Sequence, residues 1–444
     1  MILDLTIASH IRGGRSSGGM LERISSRKKE VLGGAFFWLT AFYLVYCGRP
    51  ADFFGPLGYI PLAKISGLLA LLSLLAAAGK TPRRFKDVPK EGRYLLAIIV
   101  LQFVGAFLSP VWRGGAFFST LEFSKVYVAW VLTFLLITTL TRLKRIIFLQ
   151  SASVALVSLL AIVKGHSVPR LDGVMGGFYS NPNDMAFAIV LSFPFCLAFL
   201  LTAKGTVRKM LWGFGMLMMA AALVLTASRA GFIDFVIAGT VCLWHFGVKG
   251  KRLYLIVITV FLGGVLLLLT GQTLMKRFSA ISGEDLNSAQ EDTAHQSYEE
   301  RKVLMIKALE AIVHYPILGV GTANFPVYSN MWKDVHASYL QIAADGGIPV
   351  LILYLMFFGR GFANLRALRQ AKNLDAETKL FAGAMFSSLI GFVVGACFAP
   401  ESYQFFPYFN VCYTSVLFAI SKEQVGSAVT ATKLFPSSLR LAEA

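Results

Sequence analysis

Long apolar runs separated by short charged joints recur from Val31 to about residue 421. A membrane-crossing helix needs about 20 largely apolar residues. About twelve segments qualify, centred on 31–48, 58–79, 94–111, 123–141, 146–163, 184–203, 210–227, 230–247, 253–271, 347–364, 379–399 and 405–421. Between the ninth and tenth lies a stretch of roughly 75 residues, 272–346, far longer than an ordinary connection. Its first part, "SGEDLNSAQEDTAHQSYEE", is acidic and polar and predicts a mobile stretch. Its second, "RKVLMIKALEAIVHYPILGVG", has Val303, Ile306, Leu309, Ile312 and Val313 at helical spacing, which predicts an amphipathic helix closed by Pro316 and a glycine turn.

The pattern predicts an all-α integral membrane protein with about 12 transmembrane helices and one long outward loop before the tenth span. Residues 1–30 form a basic N-terminus, 31–271 carry helices one to nine, 272–346 the loop, 347–421 helices ten to twelve and 422–444 a tail. No internal repeat of the transporter kind is visible. The polar, basic start predicts no cleaved leader, so the run from Val31 remains as the first span.

Charge sets the orientation. The joints "KTPRRFKDVPKEGR", "TRLKR", "KGTVRK", "KGKR" and "RALRQAK" fall at every second junction. Basic loops face the cytoplasm, so both termini are expected there and the long loop outside. The net charge of +18 is therefore read as topology rather than as a nucleic-acid surface. With 56% hydrophobic residues the chain lies well outside soluble composition. Its five cysteines lie in or beside apolar runs without metal-ligand or disulfide spacing and are read as packing residues.

Candidate chemistry gathers on the outward joints. Arg229, in "LVLTASRAGFIDFVIAG", is an arginine between two apolar runs with almost no loop. Such a charge snorkels to headgroups, pairs with an acid such as Asp234, or has a function. Arg301 opens the loop helix as a surface charge or an anion ligand. The turn "GVGTANF" places Gly319, Gly321 and Asn324 where backbone N–H groups can approach an anion, although a lone GxG is weak. His336 has a near-neutral ordinary pKa and is either structural or a proton acceptor. "GGFYSNPNDMAFAIVLSFP" supplies Tyr179, Asn181, Asn183 and Asp184 before the sixth span; Asn-Pro favours a turn, and Asn183 or Asp184 can cap the helix. No DxD-like acidic pair, HExxH, Gly-x-Ser-x-Gly elbow or P-loop occurs on the outward joints, so no metal site or cofactor is expected.

Taken together and in order, "FYSNPNDMA", "LTASRAG", "RKVLMIKALEAIVHYPILGVGTANF" and "HASYLQIAADGGI" resemble the O-antigen ligase and polymerase superfamily of bacterial envelope proteins. The resemblance covers roughly residues 170–360. It departs at Ala337, where the family commonly has Asn, and at Met305, where a Trp is common.

The resemblance implies a GT-C-like glycosyltransferase in the bacterial cytoplasmic (inner) membrane, its active site on the outer, periplasmic face. The donor would be an undecaprenyl-diphosphate-linked glycan and the acceptor another glycan or lipid A-core; membrane lipids are partners and nucleic acid is not. It matches Arg229, Arg301 and His336 to the family's essential basic residues. Two arginines can neutralise a departing diphosphate without metal while His336 deprotonates the acceptor hydroxyl, inverting the anomeric carbon. A ligase-like arrangement is expected first, a repeat-unit polymerase second; a protein O-oligosaccharyltransferase or a glycan transporter is less favoured.

Overall fold

The computed structural model describes residues 33–77, 81–164, 171, 179, 181–270, 289–371 and 374–434, without side-chain detail for 55, 270, 289–298 and 425–434. The expected N-terminal segment, most of the connection before Tyr179 and the start of the long loop lie outside these residues.

Among the described residues there is helix and no strand. The apolar runs form α1 (Gly33–Gly48), α2 (Leu62–Ala76), α3 (Lys90–Phe107), α4 (Arg113–Leu136), α5 (Leu140–Lys164), α6 (Pro182–Thr202), α7 (Thr206–Leu225), α8 (Arg229–Cys242) and α9 (Tyr254–Thr270). The long loop carries α10 (Ala289–His314), and α11 (Ser338–Gln370), α12 (Ala376–Gly395) and α13 (Phe405–Leu434) follow. Among the described residues seven helices are long and apolar enough to cross a membrane: α4 to α7, α8 with its continuation to Val248, α11 and α12. Three more, α1, α2 and α9, are apolar but shorter.

Each predicted segment falls on a helix, and two of the shifts in their bounds have physical causes. α4 ends at Leu136 rather than near residue 141. Its last carbonyls are taken by arginines: Arg83 Nη1 donates to Phe134 O (2.9 Å) and Ile137 O (2.8 Å), and Arg142 donates to Leu136 O (3.0 Å). Cations at a helix C-terminus also oppose its dipole. The tenth run is longer than expected, because α11 starts at Ser338 and breaks at Gly347, whose φ of +81° only glycine adopts easily. Pro349 restarts the helix two residues later, so the expected start of the tenth span coincides with the kink.

α10 also differs from expectation. The acidic stretch expected to be mobile is already helical from Ala289, a segment rich in the helix formers Ala, Gln and Glu. The helix stops at His314, just before Pro316, as the sequence predicts.

α6 and α12 are the most buried spans; α7 and α8 lie at the periphery. α6 packs against α12, α7, α5 and α8, α3 against α11 and α4, and α1 against α2 and α5. Buried polar side chains join these helices: Asn410 donates to Ser388 Oγ (2.7 Å), which donates to Leu191 O (2.6 Å). Tyr413 donates to Gln150 Oε1 (2.8 Å). In a bilayer such hydrogen bonds and small-residue contacts hold helices together where the hydrophobic effect does not.

The expected outward joints meet at one end of the bundle. Tyr179 OH donates to Cys47 O (2.8 Å), Ser109 Oγ to Val320 O (2.6 Å), Ser228 Oγ to Asn183 Oδ1 (2.8 Å) and Ser338 Oγ to Ala399 O (2.6 Å). This end carries the candidate site.

Candidate functional site

A small cleft of about 20 Å³ opens where α6, α8, α10, the segment before α11 and the end of α12 converge. Asn183, Phe187, Ser228, Gly231, Asp234, Arg301, His336 and the 395–400 turn line it. Residues more than a hundred positions apart in sequence meet here.

Local chemistry builds the α6–α8 corner. Asn181 caps α6, its side-chain oxygen accepting from Asn183 N (2.9 Å), and Pro182 occupies the first helical turn. Ala227, at φ +49°, reverses the chain between α7 and α8. Ser228 then caps α8 by accepting from Gly231 N (3.2 Å) while donating to Asn183 Oδ1. One hydroxyl thus locks two helix starts together. Arg229 is the first residue of α8, so its charge adds to the positive end of that helix dipole.

Arg301 is half-buried on α10, and its Nε is buried without a hydrogen-bond partner. Burial, then the neighbouring Arg229 charge, pushes its pKa below the ordinary guanidinium value. Two guanidiniums close enough to feel one another form a site that favours an anion. His336 shares the cleft. Burial, then the charges of Arg301 and Lys333, pushes it down to about 4 against a smaller opposing effect of Glu300, so the imidazole is neutral near pH 7. A neutral imidazole can accept a proton, and an anion placed between the arginines would offset the part of the shift that Arg301 causes, leaving the effect of burial.

Asp234 also lines the cleft, at 1% exposure, with neither carboxyl oxygen hydrogen-bonded. The sequence offered it as a partner for Arg229, and no hydrogen bond to it forms. Asp334, two residues before His336, is raised by burial and accepts from Gln341 Nε2 (3.2 Å).

The other expected site residues divide. Asn183 belongs to the cleft, whereas Asn181 acts as a helix cap and Tyr179 is buried against Cys47. Asp184 is hydrogen-bonded to Glu401. Gly319, Gly321 and Asn324 do not line the cleft, and their polar groups are used within the protein. Gly321 N donates to Asp345 O (2.9 Å), Val320 N to Ala344 O (2.9 Å) and Gly319 N to Tyr315 O (3.0 Å). Asn324 Nδ2 donates to Ser109 Oγ and Trp112 O, both at 2.9 Å. Buried Asp345 accepts from Ala323 N (3.1 Å), Phe325 N (3.1 Å) and the Tyr403 hydroxyl (2.9 Å). Sequence reasoning did not single out Ser228, Asp345 or Glu401. An acid inside an apolar run was the available signal for Asp345.

Ala337 is the N-cap residue of α11 and makes no side-chain cap. An asparagine at this position would offer a side-chain acceptor to the first turn of the helix. Among the described residues no group of three His, Cys, Asp or Glu side chains gathers to hold a metal.

A second, larger opening of about 820 Å³ lies between α1, α2 and α4. Phe42, Leu68, Leu71, Val128 and Leu132 make its apolar wall, while Arg49, Lys64, Glu122, Lys125, Thr322 and Gln404 stand at its polar end.

Residues 214–355 match the family model described as O-antigen ligase. Arg229, Arg301 and His336 all fall within the matched span. No curated protein matches the chain.

Proposed function

The chain belongs to the O-antigen ligase family, and on that premise we propose that it transfers a glycan from an undecaprenyl-diphosphate carrier to an acceptor hydroxyl at the outer face of the cytoplasmic membrane. The observation that carries this reading is the convergence of Arg301, with its buried unpartnered Nε, and His336 in one cleft beside the Arg229 turn.

In this mechanism Arg229 and Arg301 bind the diphosphate through charge-assisted hydrogen bonds. As the sugar to phosphate bond breaks, negative charge grows on the departing diphosphate, and the two guanidiniums stabilise it. His336 accepts the proton of the acceptor hydroxyl as its oxygen attacks the anomeric carbon from the opposite side, inverting it. Bound diphosphate offsets the Arg301 charge, so the base gains strength when the donor is present. The apolar opening beside α1, α2 and α4 suits a long isoprenoid or acyl chain with its head at the polar end.

Product analysis in cells lacking the gene, complemented with wild type or His336→Ala, tests the reading. Long chains that accumulate on the lipid carrier without reaching lipid A-core identify a ligase. Single repeat units that fail to lengthen identify a polymerase with the same donor chemistry. Normal glycan in the deleted strain removes both.

A further inference from the structure

The cleft described above leaves one acid pair, buried Glu401 and half-buried Asp184, without a task. Glu401, in the turn between α12 and α13, is 1% exposed, and its carboxyl is hydrogen-bonded to that of Asp184 in the first turn of α6. Glu401 Oε1 is buried and no N–H or hydroxyl of the protein donates to it. Two carboxyls cannot hydrogen-bond unless one carries a proton, and like charges this close are driven to share one.

The pair sits at a junction of the two halves of the cleft. On one side, the Glu401 backbone N–H donates to Ser338 Oγ (2.9 Å), two residues after His336. The same serine donates from Oγ to Ala399 O (2.6 Å) and from N to Ala396 O (2.7 Å), and Ser402 Oγ donates to Ser338 O (2.8 Å). The 396–402 turn is therefore laced to the histidine segment. On the other side, Asp184 follows Asn183, whose side chain holds Ser228 next to Arg229. The Asp184–Glu401 contact links the α6–α8 corner to that laced turn.

We propose that the proton shared by Asp184 and Glu401 is the tie that fixes the His336 segment against the Asn183–Ser228–Arg229 corner, making both acids positioning residues for transfer. What is positioned rests on the reading under Proposed function; the shared proton does not. Asp234 on α8, Tyr46 on α1 and Tyr354 on α11 face Glu401, and Asp334 before α11 faces Asp184. These neighbours are acids and phenols. Burial and then the Asp184 charge raise the Glu401 pKa well above the carboxylate range, in keeping with a retained proton. When the pH rises far enough to remove that proton, two carboxylates face each other and the tie becomes a repulsion.

The full-length protein, purified and placed in lipid nanodiscs, tests this with two readouts. Infrared difference spectra should show a buried protonated carboxyl in wild type that disappears in Glu401→Gln. Transfer rates should fall at alkaline pH in wild type. The Gln amide donates to Asp184 at every pH, so this near-isosteric variant should keep neutral-pH turnover within about threefold and lose the alkaline fall. Glu401→Ala should lower kcat about tenfold at neutral pH, because half-buried Asp184 loses its partner and the tie is cut, with the KM for the lipid-linked donor little changed. Thermal melting of each variant separates lost positioning from lost folding.

An alkaline fall in Glu401→Gln equal to that of wild type overturns the proposal, as does a wild-type profile without one. Absence of the protonated-carboxyl band also overturns it. If wild type transfers no lipid-linked glycan at all, the functional reading fails, and the infrared band still decides whether the pair shares a proton.

Discussion

The long loop contributes two polar regions that look alike in sequence and differ in the structure. One holds Arg301 and His336; the other is the Gly319–Asn324 turn. In the turn, the amides and the Asn324 side chain meet protein acceptors, and Asp345 takes three donors at once. In the cleft, Arg301 Nε and both oxygens of Asp234 are buried without hydrogen-bond partners, and Arg301 lies close enough to Arg229 to feel its charge. Buried groups left unsatisfied carry a free-energy penalty that a scaffold alone does not require. The cleft is therefore read as a place for a ligand, and the turn as the frame that holds it.

The comparison is broken most directly at the histidine. His336→Ala should lower transfer by about 100-fold or more, as expected for loss of a general base, while the amount of protein in the membrane stays level. A variant that still transfers at wild-type rate would move the base elsewhere. Arg301→Lys comes next. It keeps the charge but loses the planar fork, and a fall of about tenfold or more in kcat/KM for the donor is expected, with a larger fall for Arg301→Ala. Equal activity of the lysine variant would show that charge alone suffices at this position.

The turn should respond in the opposite currency. Gly319 has φ +65°, and a Cβ there would lie 2.4 Å from Asp345 O and 2.5 Å from Ala344 O. Gly319→Ala should therefore destabilise the fold by about 3 kcal/mol or more, from backbone strain and overlap together. Thermal melting and membrane yield would register this loss, while the molecules that do fold keep near-normal kcat/KM. A stable Gly319→Ala protein with impaired donor binding would give the turn the ligand role that its GxG spacing suggests.

Acidity sharpens the same contrast with a smaller effect. Because the His336 pKa is lowered to about 4, the neutral base persists as pH falls from 7 and is lost only as pH drops through that value. The kcat/KM profile, which reports the free protein, should show its acid limb there rather than near the ordinary 6.5. Once a diphosphate offsets Arg301, the limb in kcat should move to higher pH. Coincident limbs would mean that the donor does not sit between the arginines.

These contrasts also show what the chain discloses before folding. The helices were legible because about 20 apolar residues must run unbroken to cross a bilayer; each predicted segment falls on a helix, and among the described residues seven are long and apolar enough to cross a membrane. Arg229 was legible as a charge where hydrocarbon was expected. Asp184 was visible as a possible cap, but its pairing with Glu401 joins residues 217 positions apart, as subtraction of their numbers shows, and no local pattern encodes that contact. The Gly319 and Gly321 spacing was visible too; its use was not, since an anion and the carbonyls of Tyr315 and Asp345 satisfy the same amides equally well. Local sequence records which groups are polar, while tertiary contacts decide which of them are satisfied.

The smallest expected effect lies between the two regions, at Ala337. This residue stands immediately after the candidate base and occupies the N-cap of α11, with φ −157° and no side-chain acceptor for the first amides. Ala337→Asn would supply an acceptor for the N–H groups of the first turn and should stabilise the protein by about 1 kcal/mol, read as a small rise in melting temperature. If the residue serves only as a cap, transfer rates and acceptor choice stay as in wild type. A changed acceptor preference without a change in melting would instead place the position in contact with the incoming sugar, extending the cleft one residue beyond His336.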